Sequence, residues 1–122
     1  RTSDYLPYKY DKNCVCYAGT HDNATLKEWK ETGDKAEIAF AKEYFGITGR
    51  SSFNFGIIKG GMASTADLFI TQMQDYLELG KEARTNVPGV ADGNWKWRMK
   101  KGAATDKLAE KIAHITEMYG RA

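Results

Sequence analysis

The sequence predicts an α/β fold in which two parallel strands are separated by helices. Two short apolar runs, at residues 14–18 and 66–71, have the length of buried strands. Helical periodicity fills the stretch between them and returns near the C-terminus. Strands that alternate with helices pair in parallel, because a parallel connection needs a long crossover. Two parallel strands cannot complete a sheet, so residues 1–122 are expected to form one unit of a larger α/β sheet or barrel, without an internal linker.

The N-terminal part is predicted to hold an ordered loop, a strand and a short helix. Residues 1–13 place three tyrosines around Pro7 without a clean period, which indicates a loop. The run at 14–18 is uninterrupted, as is typical of a strand that is buried on both faces. A short helix follows, because Leu26 and Trp29 are three residues apart and share one face, with Trp29 expected in the core.

Two further helices are predicted before the second strand. Asp34 has the character of an N-cap with Glu37 three residues later, and Gly46 fits the position just beyond the C-terminus. The apolar side of this helix carries Ile38, Ala41, Tyr44 and Phe45. The next helix, at 53–63, has a lower intrinsic propensity because it contains Gly56, Gly60 and Gly61.

The C-terminal half contains the second strand, a long loop and the clearest helix. After the strand at 66–71, residues 80–102 are rich in Gly, Asn, Pro and Trp and predict a functional loop with at most short helical turns. The last helix begins at Thr105 and ends at Gly120. Its apolar face is formed by Leu108, Ile112, Ile115 and Tyr119. We expect His114 on this helix to face solvent rather than to be catalytic.

Composition and charge argue against several classes of partner. Hydrophobic residues make up 42% of the 122 residues, so the chain can bury a core and is not expected to be disordered. The formal net charge of +2 favours neither nucleic acid nor an acidic membrane as a partner. No apolar run approaches the roughly 20 residues that span a bilayer. We therefore expect no nucleic-acid partner, no membrane attachment and no signal peptide.

Cys14 and Cys16 are two residues apart on the first predicted strand, so their side chains point to one face. That spacing places the Cα atoms near the upper limit for a disulfide. A metal site would need further ligands, and His21 and His114 are the only histidines. We therefore expect two buried, reduced thiols in a cytoplasmic protein, with no metal and no cofactor.

The most informative motif follows the first strand and reads Gly19-Thr20-His21-Asp22-Asn23. Barrel enzymes gather their catalytic side chains at the C-terminal ends of the strands, so a His-Asp pair here predicts a site that contacts substrate. The alternative is a purely structural role, in which Asp22 or Asn23 caps the next helix. The pentapeptide alone does not decide between the two.

A second group of residues, Trp95, Trp97 and Arg98, lies in the long loop. Tryptophan faces stack on sugar rings, and tryptophan among basic residues also binds single-stranded nucleic acid. The favoured interpretation is that the tryptophans pack against the side or bottom of a barrel, because large amphipathic side chains often cover apolar surface. Sugar contact is the second interpretation, and nucleic-acid binding is the least supported.

Several motifs occur in a fixed order along the chain: Tyr5-Leu6-Pro7-Tyr8, Tyr17-Ala18-Gly19-Thr20-His21-Asp22-Asn23 with Thr25 and Trp29, Met73-Gln74-Asp75-Tyr76-Leu77, Gly80, Ala83-Arg84-Thr85-Asn86-Val87-Pro88-Gly89, and Gly93-Asn94-Trp95-Lys96-Trp97-Arg98. This set resembles the C-terminal part of the 4-alpha-glucanotransferases (amylomaltases or disproportionating enzymes, glycoside hydrolase family 77) over nearly the whole chain. The chain departs from the family pattern at three positions: Tyr8 replaces a common His, Ala24 a common Asp or Glu, and Glu28 the usual Gly.

The resemblance implies a (β/α)8 barrel in which residues 14–18 form the seventh strand and residues 66–71 the eighth. A complete barrel needs about 250 residues, so the chain would supply less than half of one. A separate piece of barrel exposes strand edges. It is therefore expected to associate with the remainder of the parent enzyme or with another copy of the chain.

The resemblance also implies an activity, the retaining transfer of α-1,4-glucan segments between maltooligosaccharides, starch or glycogen. The family's Asp nucleophile and acid/base Glu lie upstream of the motifs found here, so the chain alone is expected to be inactive. The alternative is a non-catalytic module that binds α-glucan or serves assembly on the same scaffold.

Particular residues take roles by the same resemblance. Asp22 corresponds to the family's third carboxylate, which stabilises the transition state. His21 and Asn86 correspond to residues that bind the substrate. The alternatives are a buried structural imidazole for His21 and a turn residue before Pro88 for Asn86. Supporting positions behind them are expected at Asn23, Gln74 and Asp75.

Overall fold

The computed structural model describes residues 5–122, so residues 1–4 of the predicted N-terminal loop lie outside it. Within that range the elements follow in this order: a 3-10 turn (Pro7–Lys9), β1 (Val15–Tyr17), α1 (Leu26–Thr32), α2 (Lys35–Tyr44), α3 (Phe53–Met62), β2 (Leu68–Ile70), α4 (Met73–Tyr76), a second 3-10 turn (Lys81–Ala83) and α5 (Asp106–Met118).

Both predicted strands and all four predicted helices are confirmed. Each end that was predicted lies within two residues of the observed end. The prediction of a plain loop before β1 is wrong at Pro7–Lys9, where proline at the first position presets the backbone for a 3-10 turn. Helix α4 was not predicted, because four residues are too few to show a helical period.

The two strands pair in parallel, as predicted, and form a two-stranded sheet within residues 5–122. The register aligns three pairs: Val15 with Leu68, Cys16 with Phe69, and Tyr17 with Ile70. Because side chains alternate along a strand, the middle pair faces the helices while both outer pairs face the opposite side. Cys16 is accordingly buried, and Phe69 packs against the core that the helices form.

The opposite side of the sheet is an exposed apolar surface, which we call the open strand face; it consists of Val15, Tyr17, Leu68 and Ile70. These four side chains are 41–51% exposed. The prediction that the first strand is buried on both faces is therefore wrong for residues 5–122. Nothing in the described part of the chain covers the second face.

Short polar side chains cap the N-termini of α1 and α2. The Thr25 hydroxyl accepts a hydrogen bond from the Glu28 N–H at 3.2 Å and caps α1. Asp34 caps α2 as predicted, and Gly46 follows that helix with a φ of +64°, which glycine adopts without steric cost. Because Thr25 caps α1, the alternative in which Asp22 or Asn23 is that cap is wrong.

The glycines of α3 let neighbouring side chains approach its backbone. The core formed with α1 and α5 includes Leu26, Phe55, Ile58, Met62 and Ile115. A Cβ atom built on Gly60 would lie 2.2 Å from the Phe45 ring, and one on Gly61 would lie 2.2 Å from the Phe69 ring. These glycines lower helix propensity, as predicted, but they allow α2 and β2 to pack tightly on α3.

Replacing Gly61 by alanine is expected to destabilise the protein although alanine is the better helix former by about 1 kcal/mol. The added methyl group would collide with Phe69, and overpacking of this kind costs about 1–3 kcal/mol. Chemical denaturation measures the change. The matched control is Gly49→Ala, because nothing lies within 4 Å of a Cβ there. Equal stability of the two variants would contradict the packing role of Gly61.

Helix α5 is joined to the segment before β2 by Arg121. Its guanidinium donates to the backbone carbonyls of Met62, Ser64 and Ala66 at 2.6–3.0 Å. His114 is exposed on this helix, as predicted. None of the helices in residues 5–122 combines the length and apolarity that a bilayer crossing requires.

Candidate active site

The loop after β1 is shaped by Asn23. Its side-chain oxygen accepts hydrogen bonds from the Thr20 N–H at 2.8 Å and from the Thr20 hydroxyl at 3.0 Å. The Gln72 amide, just beyond β2, donates to the Thr20 carbonyl at 2.7 Å. The turn is thereby tied to the C-terminal end of the neighbouring strand. It also directs the next two side chains, His21 and Asp22, to the surface.

His21, Asp22 and Asn86 lie together, although 64 residues separate Asp22 from Asn86 along the chain. The Asn86 amide donates to Asp22 Oδ1 at 2.7 Å, and His21 Nε2 lies 3.4 Å from Asp22 Oδ2. The Asn86 backbone N–H also donates to the His21 carbonyl at 3.1 Å. The side chains of His21 and Asp22 remain 54% and 50% exposed. An acceptor, a donor and an amide are therefore open to a ligand at one place.

Trp95 completes the exposed surface beside His21. The two ring centroids are 5.0 Å apart, and Trp95 is 66% exposed. The prediction that Trp95 packs against the side or bottom of a barrel is therefore wrong for the described residues, whereas Trp97 is half-buried. Trp95 adopts a φ of +59°, and its N–H donates to the Thr85 carbonyl at 2.7 Å. Sequence patterns do not report such a backbone conformation, so the side chain's direction could not be predicted.

Arg84 is the residue that the sequence-based prediction of the site missed. It donates to the backbone carbonyls of Asp22 at 2.8 Å and Asn86 at 3.0 Å. Arg84 belongs to the motif Ala83-Arg84-Thr85-Asn86, but no sequence pattern marks an arginine whose partners are backbone carbonyls.

Gln74 and Asp75 are buried, as supporting residues would be. Asp75 is only 1% exposed, and its Oδ1 accepts the Leu26 N–H at 2.9 Å, which joins α4 to the start of α1. The Gln74 amide donates to the Ala83 carbonyl at 3.2 Å and to the Thr85 hydroxyl at 3.0 Å. Gln74 therefore holds the segment just before Asn86, and Asp75 holds the start of α1 that follows the loop of Asp22.

Burial raises the pKa of the Asp75 carboxyl above its usual range, and the Leu26 amide opposes that effect in part. A raised pKa means that the folded state favours the protonated form. The stabilisation is complete below the pKa of the unfolded chain, about 3.9. It is lost as the pH rises through the higher pKa of the folded state.

The variant Asp75→Asn should therefore lose this pH dependence. The free energy of unfolding of the wild type is expected to fall relative to that of Asp75→Asn as the pH rises from acid to neutral. Urea denaturation at a series of pH values measures the difference. Asp92→Asn, in the exposed loop, serves as the control. A wild-type-to-variant difference that stays constant with pH would show that Asp75 is ionised without penalty.

The described residues thus form parallel strands whose C-terminal loops present a carboxylate, an imidazole, an amide and an indole side by side. Known proteins resemble this chain in sequence and in fold. The family model described as 4-alpha-glucanotransferase matches residues 1–105. The 4-alpha-glucanotransferase of Clostridium butyricum is 48% identical over 121 residues, which are 98% of this chain and 25% of that protein. The chloroplastic/amyloplastic 4-alpha-glucanotransferase of Solanum tuberosum is 36% identical over 120 residues, 96% of this chain and 21% of that protein.

Among solved structures, the amylomaltase from Streptococcus agalactiae in complex with acarbose superimposes with a TM-score of 0.94 at 31% sequence identity. The match covers 99% of this chain and 24% of that structure. Fold and structural match therefore define a segment of a larger α/β fold. The chain belongs to the 4-alpha-glucanotransferase family. It spans about a quarter of the length of the curated relatives that it matches.

Proposed function

We propose that this chain is the C-terminal part of a retaining 4-alpha-glucanotransferase that moves α-1,4-glucan segments between maltooligosaccharides, starch or glycogen. Family membership supports the activity, and the exposed cluster at the strand ends supports a role for this segment in it. In the proposed reaction, the bond between C1 of the donor glucose and the next sugar's 4-oxygen breaks. The glucan is held as an ester on an Asp outside this chain, while an acid/base Glu, also outside it, protonates the departing 4-oxygen. An acceptor 4-hydroxyl then displaces the ester and gives its proton to that Glu.

The observation that carries the proposal is the environment of Asp22. Its carboxylate accepts a hydrogen bond from Asn86 and remains half-exposed, so further lone pairs face the surface. In our proposal it accepts hydrogen bonds from sugar hydroxyls beside the anomeric carbon. Those bonds strengthen as the ring flattens toward an oxocarbenium ion, and the negative charge stabilises the developing positive charge.

The neighbours of Asp22 supply the remaining contacts. His21 donates to a sugar hydroxyl, and the Asn86 amide holds the Asp22 carboxylate while its carbonyl oxygen is left for a hydroxyl of the same sugar. We further propose that Trp95 stacks on a glucose ring. Its exposure and its left-handed backbone support this, because strain of that kind is typical of functional positions.

The open strand face supports the proposal that this chain completes a larger barrel. Its four apolar side chains lie in register and would gain stability by packing against other apolar groups. Each strand also has an edge without a partner strand among residues 5–122. We propose that the remainder of the parent enzyme covers this face, with this chain supplying the seventh and eighth strands. Cys14 and Cys16 are unpaired, which fits a reducing cytoplasm.

Disproportionation of maltotriose tests the proposal. The complete enzyme should convert maltotriose into glucose and longer oligosaccharides, and residues 1–122 alone should not, because retaining transfer requires two further carboxylates. Mixing this chain with the missing N-terminal portion should restore activity. Absence of transfer by the complete enzyme would contradict the proposal. Micromolar binding of maltoheptaose by the isolated chain, unchanged by Asp22→Ala, would instead favour a binding module.

A further inference from the structure

One arginine connects the two loops that carry the exposed cluster. Arg84 Nη2 donates to the Asp22 carbonyl at 2.8 Å, and Nε donates to the Asn86 carbonyl at 3.0 Å. The side chains of the same two acceptor residues bond each other at 2.7 Å. Asp22 and Asn86 are therefore joined twice, once through their side chains and once through a guanidinium that spans their backbones.

The guanidinium is itself held from the other side by α1. Its Nη1 lies 3.8 Å from Glu28 Oε1, and the side chains of Arg84 and Glu28 are only 20% and 12% exposed. The second carboxylate oxygen of Glu28 is buried and accepts no hydrogen bond among the described residues. Arg84 is thus the cationic group that lies beside the Glu28 carboxylate.

We propose that Arg84 is a positioning residue for the transfer reaction: it fixes the separation of the Asp22 and Asn86 backbones and so the direction of the Asp22 carboxylate, while Glu28 holds the guanidinium in place. This inference rests on the proposed function. Arginine suits the task because its planar fork directs several donors at fixed angles. Lysine carries the same charge as a single point and cannot reach both carbonyls with that geometry.

The competing explanation is that Arg84 and Glu28 only stabilise the fold. A buried ion pair can be replaced by two apolar side chains with little loss of stability, whereas removal of one partner leaves an uncompensated charge. The double variant Arg84→Met/Glu28→Leu in the complete enzyme therefore separates the two explanations. It should keep the thermal midpoint near that of the wild type, and Arg84→Met alone should lower the midpoint.

The kinetic outcome decides between them. A misplacement of about 1 Å can lower a rate by about 100-fold, so we expect kcat for maltotriose disproportionation to fall about 10- to 100-fold in the double variant. KM should change little, since the sugar-contacting side chains remain. Arg84→Lys should also lower kcat, at a near-normal thermal midpoint. The control Arg50→Met, at an exposed loop position, should match the wild type in both measurements.

A double variant with normal kcat and a normal midpoint would overturn the positioning role. If the double variant does not fold, Arg84→Lys carries the comparison, and wild-type kcat in that variant would overturn the role as well. Failure of the wild-type enzyme to transfer glucan at all would contradict the proposed function instead, so the two failures are distinguishable.

Discussion

Replacing Asp22 by asparagine is expected to lower kcat of the complete enzyme by about 10²- to 10⁴-fold. Hydrogen bonds to sugar hydroxyls that strengthen in the transition state contribute several kcal/mol, and about 1.36 kcal/mol corresponds to a tenfold change in rate. The amide keeps an oxygen that can accept from Asn86, so the loop geometry should persist. The variant therefore removes the charge and leaves the shape.

The measurement is steady-state disproportionation of maltotriose, with thermal midpoints recorded in parallel. KM should move much less than kcat, because the lost interaction is strongest in the transition state. Asp92→Asn, an exposed carboxylate in the long loop, is the matched control and should leave kcat unchanged. A kcat for Asp22→Asn within threefold (roughly 0.7 kcal/mol) of the wild type would show that Asp22 does not stabilise the transition state.

Replacing Leu68 by aspartate is expected to prevent folding of the complete enzyme. Leu68 begins β2 and lies on the open strand face, which we propose is covered in the complete enzyme. A buried carboxylate without a partner costs several kcal/mol, and whole domains are stable by only about 5–15 kcal/mol. Yield of folded protein and urea denaturation measure the effect.

In residues 1–122 alone, Leu68→Asp should be tolerated, because Leu68 faces solvent there. The aspartate should reduce self-association of this chain in sedimentation experiments. Val90→Asp is the matched control, because Val90 is 50% exposed and Leu68 is 51% exposed. That variant should behave like the wild type in both forms of the protein. Normal stability of the complete enzyme with Leu68→Asp would show that the open strand face is not covered.

Element types were predictable because they depend on local patterns. The caps at Asp34 and Thr105 and the glycines at Gly46 and Gly120 act within a few residues, and the structure confirms all four. The prediction that β1 is buried on both faces was wrong because burial depends on what packs against a strand. The sequence of the strand does not show what packs against it. The pattern indicated an apolar strand correctly but not its environment.

The site was predictable only in part, for a different reason. The resemblance suggested Asp22, His21 and Asn86, and the structure brings the three together. Arg84 was missed because its partners are backbone carbonyls, which every residue possesses. The direction of Trp95 was missed because it follows from a left-handed backbone that few residues of its size adopt.

A crystal structure of the complete enzyme with a bound maltooligosaccharide would show whether Asp22 contacts a glucose unit. We expect the Asp22 carboxylate to lie about 2.5–3.0 Å from the sugar hydroxyls next to the anomeric carbon, with His21 and Trp95 against the same glucose unit. A sugar bound elsewhere, with Asp22 contacting only protein, would contradict this expectation.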